Sequence, residues 1–186
     1  NRSYLSAMQT YKVIGVMSGT SLDGVDLAYC HFLNENNKWH FEIKSAETIS
    51  YSQEWKEKLS ALYEKDALTC AKVHVEYGRY LGELIKSFAT EQVDFVSSHG
   101  HTIFHQPDNG FTLQIGEGAA IGSMCGFPVV SDFRTTDIAL GGQGAPLVPI
   151  GDKILFADYF FCLNLGGIAN ISFDKNGERI AYDICP

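Results

Sequence analysis

The stretch GVMSGTSLDGVD, residues 15–26, lies between two short apolar runs, Tyr11–Val16 and Val25–Phe32. Apolar, β-branched runs of that length on either side of glycines read as strand, turn, strand. The turn holds Gly19 and Gly24, the hydroxyls of Ser18, Thr20 and Ser21, and the carboxylates of Asp23 and Asp26. Free backbone N–H groups and small hydroxyls gathered at one turn suit phosphate oxygens. A carboxylate beside them would repel phosphate unless a cation such as Mg2+ lay between. The stretch therefore reads either as a site for a metal-bound polyphosphate or as a tight hairpin with solvated polar residues. It is not a P-loop, because no lysine follows the glycines, and not a Rossmann turn, because no GxGxxG opens a helix. A strand follows instead, so phosphate would be held in a different way.

Around this stretch the chain runs to 186 residues, 45% hydrophobic and 19% charged, which predicts a sizeable buried core rather than disorder. A net charge of −8 leaves no basic stripe for a phosphate backbone, so nucleic acid is not an expected partner. The first residues, NRSYLSAMQT, lack the apolar core of a signal peptide. No run approaches the roughly 20 apolar residues of a membrane span, so no membrane partner is expected either. Cys30, Cys70, Cys125, Cys162 and Cys185 form no CxxC pair and mostly fall in apolar runs. That is the pattern of reduced thiols in a cytoplasmic protein.

Residues 1–10 read as a leader. Strands are expected at Tyr11–Met17, Val25–Leu33 and His40–Ser50, with the polar loop Asn34–Lys38 making a hairpin of the second and third. From Gln53 to Thr90 apolar residues recur at helical spacing, first Trp55, Leu59 and Leu62, then Val73, Val75, Tyr77, Tyr80, Leu81, Leu84, Ile85 and Phe88. They predict a short helix, a break near Lys65–Asp66 and a long amphipathic helix. Val93–Ser97 reads as a buried parallel strand and Glu117–Cys125 as a helix closed by Gly126. Phe127–Ser131 reads as a strand and Pro146–Phe156 as a helix. The order is βββαβαβα. Strands then begin again at Phe160–Leu165, Ile168–Phe173 and Ile180–Ile184, with Lys175-Asn176-Gly177 as a hairpin turn. Gly166 and Gly167 repeat the Gly-rich turn of the first hairpin. The expected organisation is one α/β domain over 11–157 and the truncated start of a second, similar domain over 158–186.

This architecture resembles the actin/Hsp70/sugar-kinase (ribonuclease H-like) superfold, with a mixed sheet and a phosphate-holding hairpin at the head of each half. Six ordered motifs are more specific: MSGTSLDGVD (17–26), SSHGHTIFH (97–105), TLQIGEG (112–118), SDFRTTDIALGGQGAPLVP (131–149), LNLGGIANIS (163–172) and YDICP (182–186). They resemble those of the anhydro-N-acetylmuramic acid kinase family and correspond to about the N-terminal half of its chain. The resemblance implies a cytoplasmic enzyme of peptidoglycan recycling that uses ATP and Mg2+. Such an enzyme opens the 1,6-anhydro bridge of 1,6-anhydro-N-acetylmuramic acid with water and phosphorylates O6, giving the 6-phosphate and ADP. It also implies a homodimer, formed through the portion of the family's chain absent here.

Carried over to this sequence, the resemblance makes Asp183 the aspartate that activates water; otherwise it is a strand-end aspartate capping a turn. Ser18, Gly19, Thr20, Ser21, Asp23 and Gly24 become the first nucleotide-binding turn, and Gly166, Gly167 and Asn170 the second. Asp23 is the preferred metal-associated carboxylate, with Asp26 either a partner or structural. His99 becomes a sugar contact. His101 stands where the family commonly has Gln, and its role is open. Gln114 and Glu117 offer groups to sugar hydroxyls or cap the helix that follows. Arg134 and Asp137 become substrate contacts, with Thr135 and Thr136 in two places where the family commonly carries basic residues. Gln143, in the run Gly141–Gly144, lies in a loop flexible enough to line the cleft. His31, His40 and His74 read as structural.

Three other readings stand beside this one. Thr135 and Thr136 keep open a kinase for another 1,6-anhydro sugar, such as levoglucosan. The chain could also be a non-catalytic nucleotide- or sugar-binding module. The triplet His99, His101 and His105 could ligate a metal in a hydrolase, although no carboxylate or cysteine ligand is identified near it.

Overall fold

The computed structural model describes residues 8–19, 21–166 and 168–185. Strands β1 (Gln9–Ser18), β2 (Gly24–Glu35) and β3 (Lys38–Ser50) form an antiparallel meander. The first of them starts inside the expected leader, at Gln9. Asn36 and Asn37 close β2 onto β3 with φ of 53° and 62°, the left-handed pair that a two-residue hairpin turn requires.

The helical periodicity after Ser52 is resolved into two capped helices. In α1 (Gln53–Ser60) the Ser52 side chain accepts the Trp55 N–H, and in α2 (Ala67–Phe88) Asp66 accepts from Leu68 and Thr69 at 2.9 and 3.0 Å. The break expected at Lys65–Asp66 is therefore an N-cap. Next come β4 (Phe95–Ser98), the hairpin β5 (His101–Gln106) and β6 (Phe111–Ile115), α3 (Gly118–Cys125) and β7 (Val129–Ser131). Two short helices follow, α4 (Thr135–Ala139) and α5 (Val148–Leu155).

The main sheet has the order β3-β2-β1-β4-β7, with β4 parallel to β1 and β7 parallel to β4. Antiparallel meander and parallel crossovers thus share β1, the mixed ribonuclease H-like sheet. Alternation on β1 and β2 puts Ile14, Val16, Val25 and Leu27 on the face covered by α2 and α3. Tyr77, Leu81 and Ile85 of α2 are fully buried there with Val96 and Ile121. Each such side chain stabilises by about 1.5–3 kcal/mol through burial.

Three elements depart from the expected order, the strands β5 and β6 and the helix α4. SSHGHTIFH, where no strand is expected beyond Ser97, contains most of β5, which pairs with the equally unexpected β6 outside the main sheet. Its polar alternation carries no apolar run, so periodicity could not reveal it. The five-residue α4, rich in Thr and Asp, has no helical pattern to detect. Helix α5 starts at Val148 rather than Pro146, with Pro149 in its first turn where no N–H is missed.

The last three strands, β8 (Phe161–Asn164), β9 (Ala169–Lys175) and β10 (Glu178–Cys185), form an antiparallel sheet of order β10-β9-β8. Asn176 and Gly177 close the β9–β10 hairpin with φ of 54° and 85°, at the predicted turn. Helix α5 packs against both β3 and β10 and so links the two sheets. Among the described residues no helix is long and apolar enough to cross a membrane.

Helices α2 and α3 touch through glycine. A Cβ at Gly82 would lie 2.6 Å from the Met124 Cβ and 2.8 Å from the Ile121 carbonyl oxygen. Alanine would gain about 1 kcal/mol in helix propensity but force overpacking of about 1–3 kcal/mol or more. Gly82→Ala is therefore expected to lower the urea midpoint. A midpoint at or above that of the parent chain would show that the two helices can move apart freely.

Candidate active site

A cleft of about 1080 Å³ opens between the turn after β1 and the ends of the second sheet. The first hairpin lines it with Ser18, Gly19, Ser21 and Asp26, the middle of the chain with His99, Thr102 and Arg134, and the second sheet with Asn164, Asn170 and Asp183. Pro146, Leu147, Leu155 and Phe156 form an apolar side. Residues far apart in sequence thus meet at one place. Register explains the second wall: Asn164 opposes Asn170, and Asn170 opposes Asp183, so one polar row crosses three strands.

Thr20 and Gly167 lie outside the described residues. Asp23 is exposed and absent from the lining, and its backbone carbonyl accepts the Tyr51 N–H at 3.4 Å. The carboxylate of this hairpin that faces the cleft is Asp26, whose Oδ1 accepts from the Thr48 hydroxyl at 2.6 Å. Strand alternation could have separated the two, since Asp26 lies inside β2 and Asp23 before it. Gly24 is a packing requirement: a Cβ there would sit 2.3 Å from the Ile49 carbonyl oxygen.

Ser18 borders the cleft but its hydroxyl turns inward. It accepts from the Tyr77 hydroxyl at 2.9 Å and pairs with His101 Nδ1 at 3.0 Å. Because Tyr77 gives its only proton to Ser18, the hydrogen bond between the two tyrosines has Tyr51 as donor. Tyr51, Tyr77, Ser18 and His101 are all buried and form a continuous polar chain under the turn. Burial raises the Tyr77 pKa and, with the neighbouring His99, lowers that of His101 to about 4. His101 is therefore neutral near pH 7.

His99 is buried with both ring nitrogens committed. Nδ1 is 2.9 Å from the Gly100 carbonyl oxygen and so must donate, while Nε2 accepts from Arg134 Nε at 3.0 Å. That fixes the neutral Nδ1–H tautomer, and desolvation followed by the Arg134 charge holds the pKa below its usual value. An imidazole whose lone pair is engaged by a guanidinium cannot also ligate a metal. Among the described residues no group of three His, Cys, Asp or Glu side chains is placed to hold one.

Arg134 also donates through Nη1 to the Gly144 carbonyl at 2.6 Å, and Asp137 Oδ2 accepts the Gly144 N–H at 2.7 Å. The pair clamps the loop before Pro146. Asp137 and the exposed Gln143 are absent from the cleft lining, whereas Arg134 borders it with donors to spare. Gln114 also lies outside the lining, its amide donating to the hydroxyls of Thr102 and Thr112 at 3.3 and 2.8 Å. Glu117 caps α3 by accepting the Ala120 N–H at 2.6 Å. Gly166 is exposed and absent from the lining. Sequence reading missed Asn164 and Thr102 as cleft residues, and it missed the two tyrosines behind Ser18. Nothing in the spacing of Tyr51 and Tyr77 signals that they meet at the end of β1.

The mixed sheet with a glycine turn at the cleft defines a domain of the actin/Hsp70/sugar-kinase superfold. The sequence profile of anhydro-N-acetylmuramic acid kinase matches residues 11–186. An anhydro-N-acetylmuramic acid kinase of Methylobacterium nodulans is 37% identical, the match covering 94% of this chain and 54% of that protein. One of Picosynechococcus sp. is 38% identical, with 87% and 46% covered, and one of Pseudoalteromonas translucida 34%, with 97% and 51%. The chain belongs to the anhydro-N-acetylmuramic acid kinase family. It spans about half the length of the curated relatives it matches.

The burial of His101 gives stability a pH dependence of definite sign. Its folded pKa of about 4 lies below the unfolded value of 6.5, so the unfolded chain binds the proton more readily. The contribution is complete above pH 6.5 and is lost as pH falls toward 4, on the order of 3 kcal/mol in all. Denaturant unfolding measured across that range should show a shallower slope in His101→Gln than in the parent. Identical slopes would remove His101 as the source.

Proposed function

We propose that the full-length protein is a cytoplasmic, ATP-dependent kinase of peptidoglycan recycling. It cleaves the 1,6-anhydro bond of 1,6-anhydro-N-acetylmuramic acid and phosphorylates O6. The observation that carries this reading is the convergence of Ser18, Gly19 and Ser21, the His99–Arg134 pair and Asp183 on one cleft. Five free cysteines accord with a reducing compartment.

In this reading the Asp183 carboxylate accepts a proton from water as the water oxygen bonds to the anomeric carbon. The bond from that carbon to O6 breaks, and O6 takes the γ-phosphoryl group while ADP departs. Backbone N–H groups at Gly19 and Ser21 hold phosphate oxygens, with Asn164 and Asn170 offering amides from the opposite wall. Arg134 is the single Lys or Arg in the lining among the described residues. Two of its donors are committed to His99 and Gly144, and the rest serve the lactyl carboxylate of the sugar. That supports this sugar over levoglucosan, which has no carboxylate.

Mg2+ fits the donor set in the way this ion is usually held, by one or two carboxylates together with phosphate oxygens. Asp26 lines the cleft and would supply the carboxylate, leaving Asp183 as the base. The ion, when bound, neutralises charge on the transferring phosphoryl group.

Asp183→Asn in the full-length protein should retain Mg-ATP binding while sugar-dependent ADP release falls by a factor of about 100 or more. Turnover close to that of the parent enzyme would sink the base assignment.

A further inference from the structure

The second wall of the cleft rests on a buried ionic cluster with no part in the chemistry above. Strand alternation puts Cys162, Ser172, Asp174 and Arg179 on the same face of β8–β10 as Asn164, Asn170 and Asp183. The face is polar except for Ala181, which stands opposite Ser172. One end borders the cleft, and toward the other Ser172 and Arg179 are buried beside α5, whose Asp152 also borders the cleft.

At the buried end the Arg179 side chain is 7% exposed, and its Nη2 donates to the Ser172 hydroxyl at 2.9 Å and to Cys162 Sγ at 3.2 Å. Ser172 donates in turn to Asp152 of α5, and Arg179 Nη2 stands 3.9 Å from that same Asp152 carboxylate. Asp174 lies 3.4 Å from Nη1, half-exposed. Nε and Nη1 of Arg179 have no hydrogen-bond partner among the described residues. A sheet that needed only to stand would not bury a guanidinium on such terms, because an apolar residue there costs less. What the arrangement gains is direction. Asp152 is the single charged side chain of α5 that reaches this face, and α5 is packed on β3 of the first sheet.

We propose that Arg179, with Asp152 and Ser172, is a positioning device that fixes the β8–β10 sheet on α5. It thereby sets where Asp183 stands relative to the phosphate turn. Arg179 and Asp183 share a strand and a face four residues apart, about 13 Å along β10. Rotation of the strand about the buried end is therefore read out directly at the cleft. The catalytic consequence rests on the kinase reading; the structural one does not.

The test uses the full-length protein with Arg179→Met and Asp152→Asn, singly and together, and Arg179→Lys. Sugar-dependent ADP release and amide hydrogen exchange are measured on each. Expected for each of the first two is a fall in kcat of about tenfold or more, with the KM for ATP within about twofold. The double variant should be no worse than the poorer single one. Amide exchange in 178–185 should quicken about tenfold or more while α2 keeps the parent rate. Arg179→Lys, which keeps the charge, should recover part of both. Unchanged exchange in β10, or acceleration shared equally by α2, would overturn the positioning role. So would additive losses with ATP affinity falling in step. A parent protein without sugar-dependent turnover would refute the kinase reading instead, and the exchange measurement would still decide this one.

Discussion

The hydrogen bond from the Tyr77 hydroxyl to Ser18 joins the hydrophobic core to the cleft. Tyr77 sits at the centre of the buried face of α2, and Ser18 is the last residue of β1 before the glycine turn. A buried hydroxyl without a partner is costly, so burying Tyr77 obliges something at the end of β1 to accept its proton. Ser18 meets that demand, and His101 and Tyr51 complete the chain. The turn is thereby anchored from behind, leaving its backbone free to face a ligand. Core packing and ligand-site geometry are consequences of the same contact.

A similar logic governs the middle of the cleft. His99 is locked in one tautomer between a carbonyl and Arg134, and Arg134 and Asp137 together hold both polar groups of Gly144. A guanidinium fixed at two of its five donors is pre-organised, so less side-chain entropy is lost when it meets an anion. Asp137 contributes by shaping the loop rather than by reaching the cleft.

Much of this was legible in the residues. The β-branched runs around residues 15–26 mark β1 and β2, the helical spacing from Trp55 to Phe88 marks the two helices, and Asn176-Gly177 marks the last hairpin. These signals are local, because a strand or helix buries one face with a fixed period. The cleft was legible in part. Glycines, hydroxyls and the Asp183 motif pointed to residues that now line it, whereas Asp23, Gln114, Asp137 and Gln143 do not. Each of those four carries a group able to bind a ligand, and each instead faces solvent or serves a local turn or hairpin. Chemical capacity is written in a residue type, but direction is not.

The sequence by itself determined the opening strands, the two helices after Ser52, the first and last hairpins and membership of one family. All of these follow from periodicity, turn chemistry and motif order along the chain. Only the tertiary structure decided which side chains meet. The β8–β10 register aligns Asn164, Asn170 and Asp183, and β2 alternation turns Asp26 to the cleft, whereas Asp23, in the turn before β2, stays outside it. Burial beneath α2 and α5 then brings Tyr51, Tyr77, Ser18 and His101, and separately Asp152 and Arg179, into contact. Such contacts arise between residues tens of positions apart, where no local propensity acts and the closing of the core sets the distance.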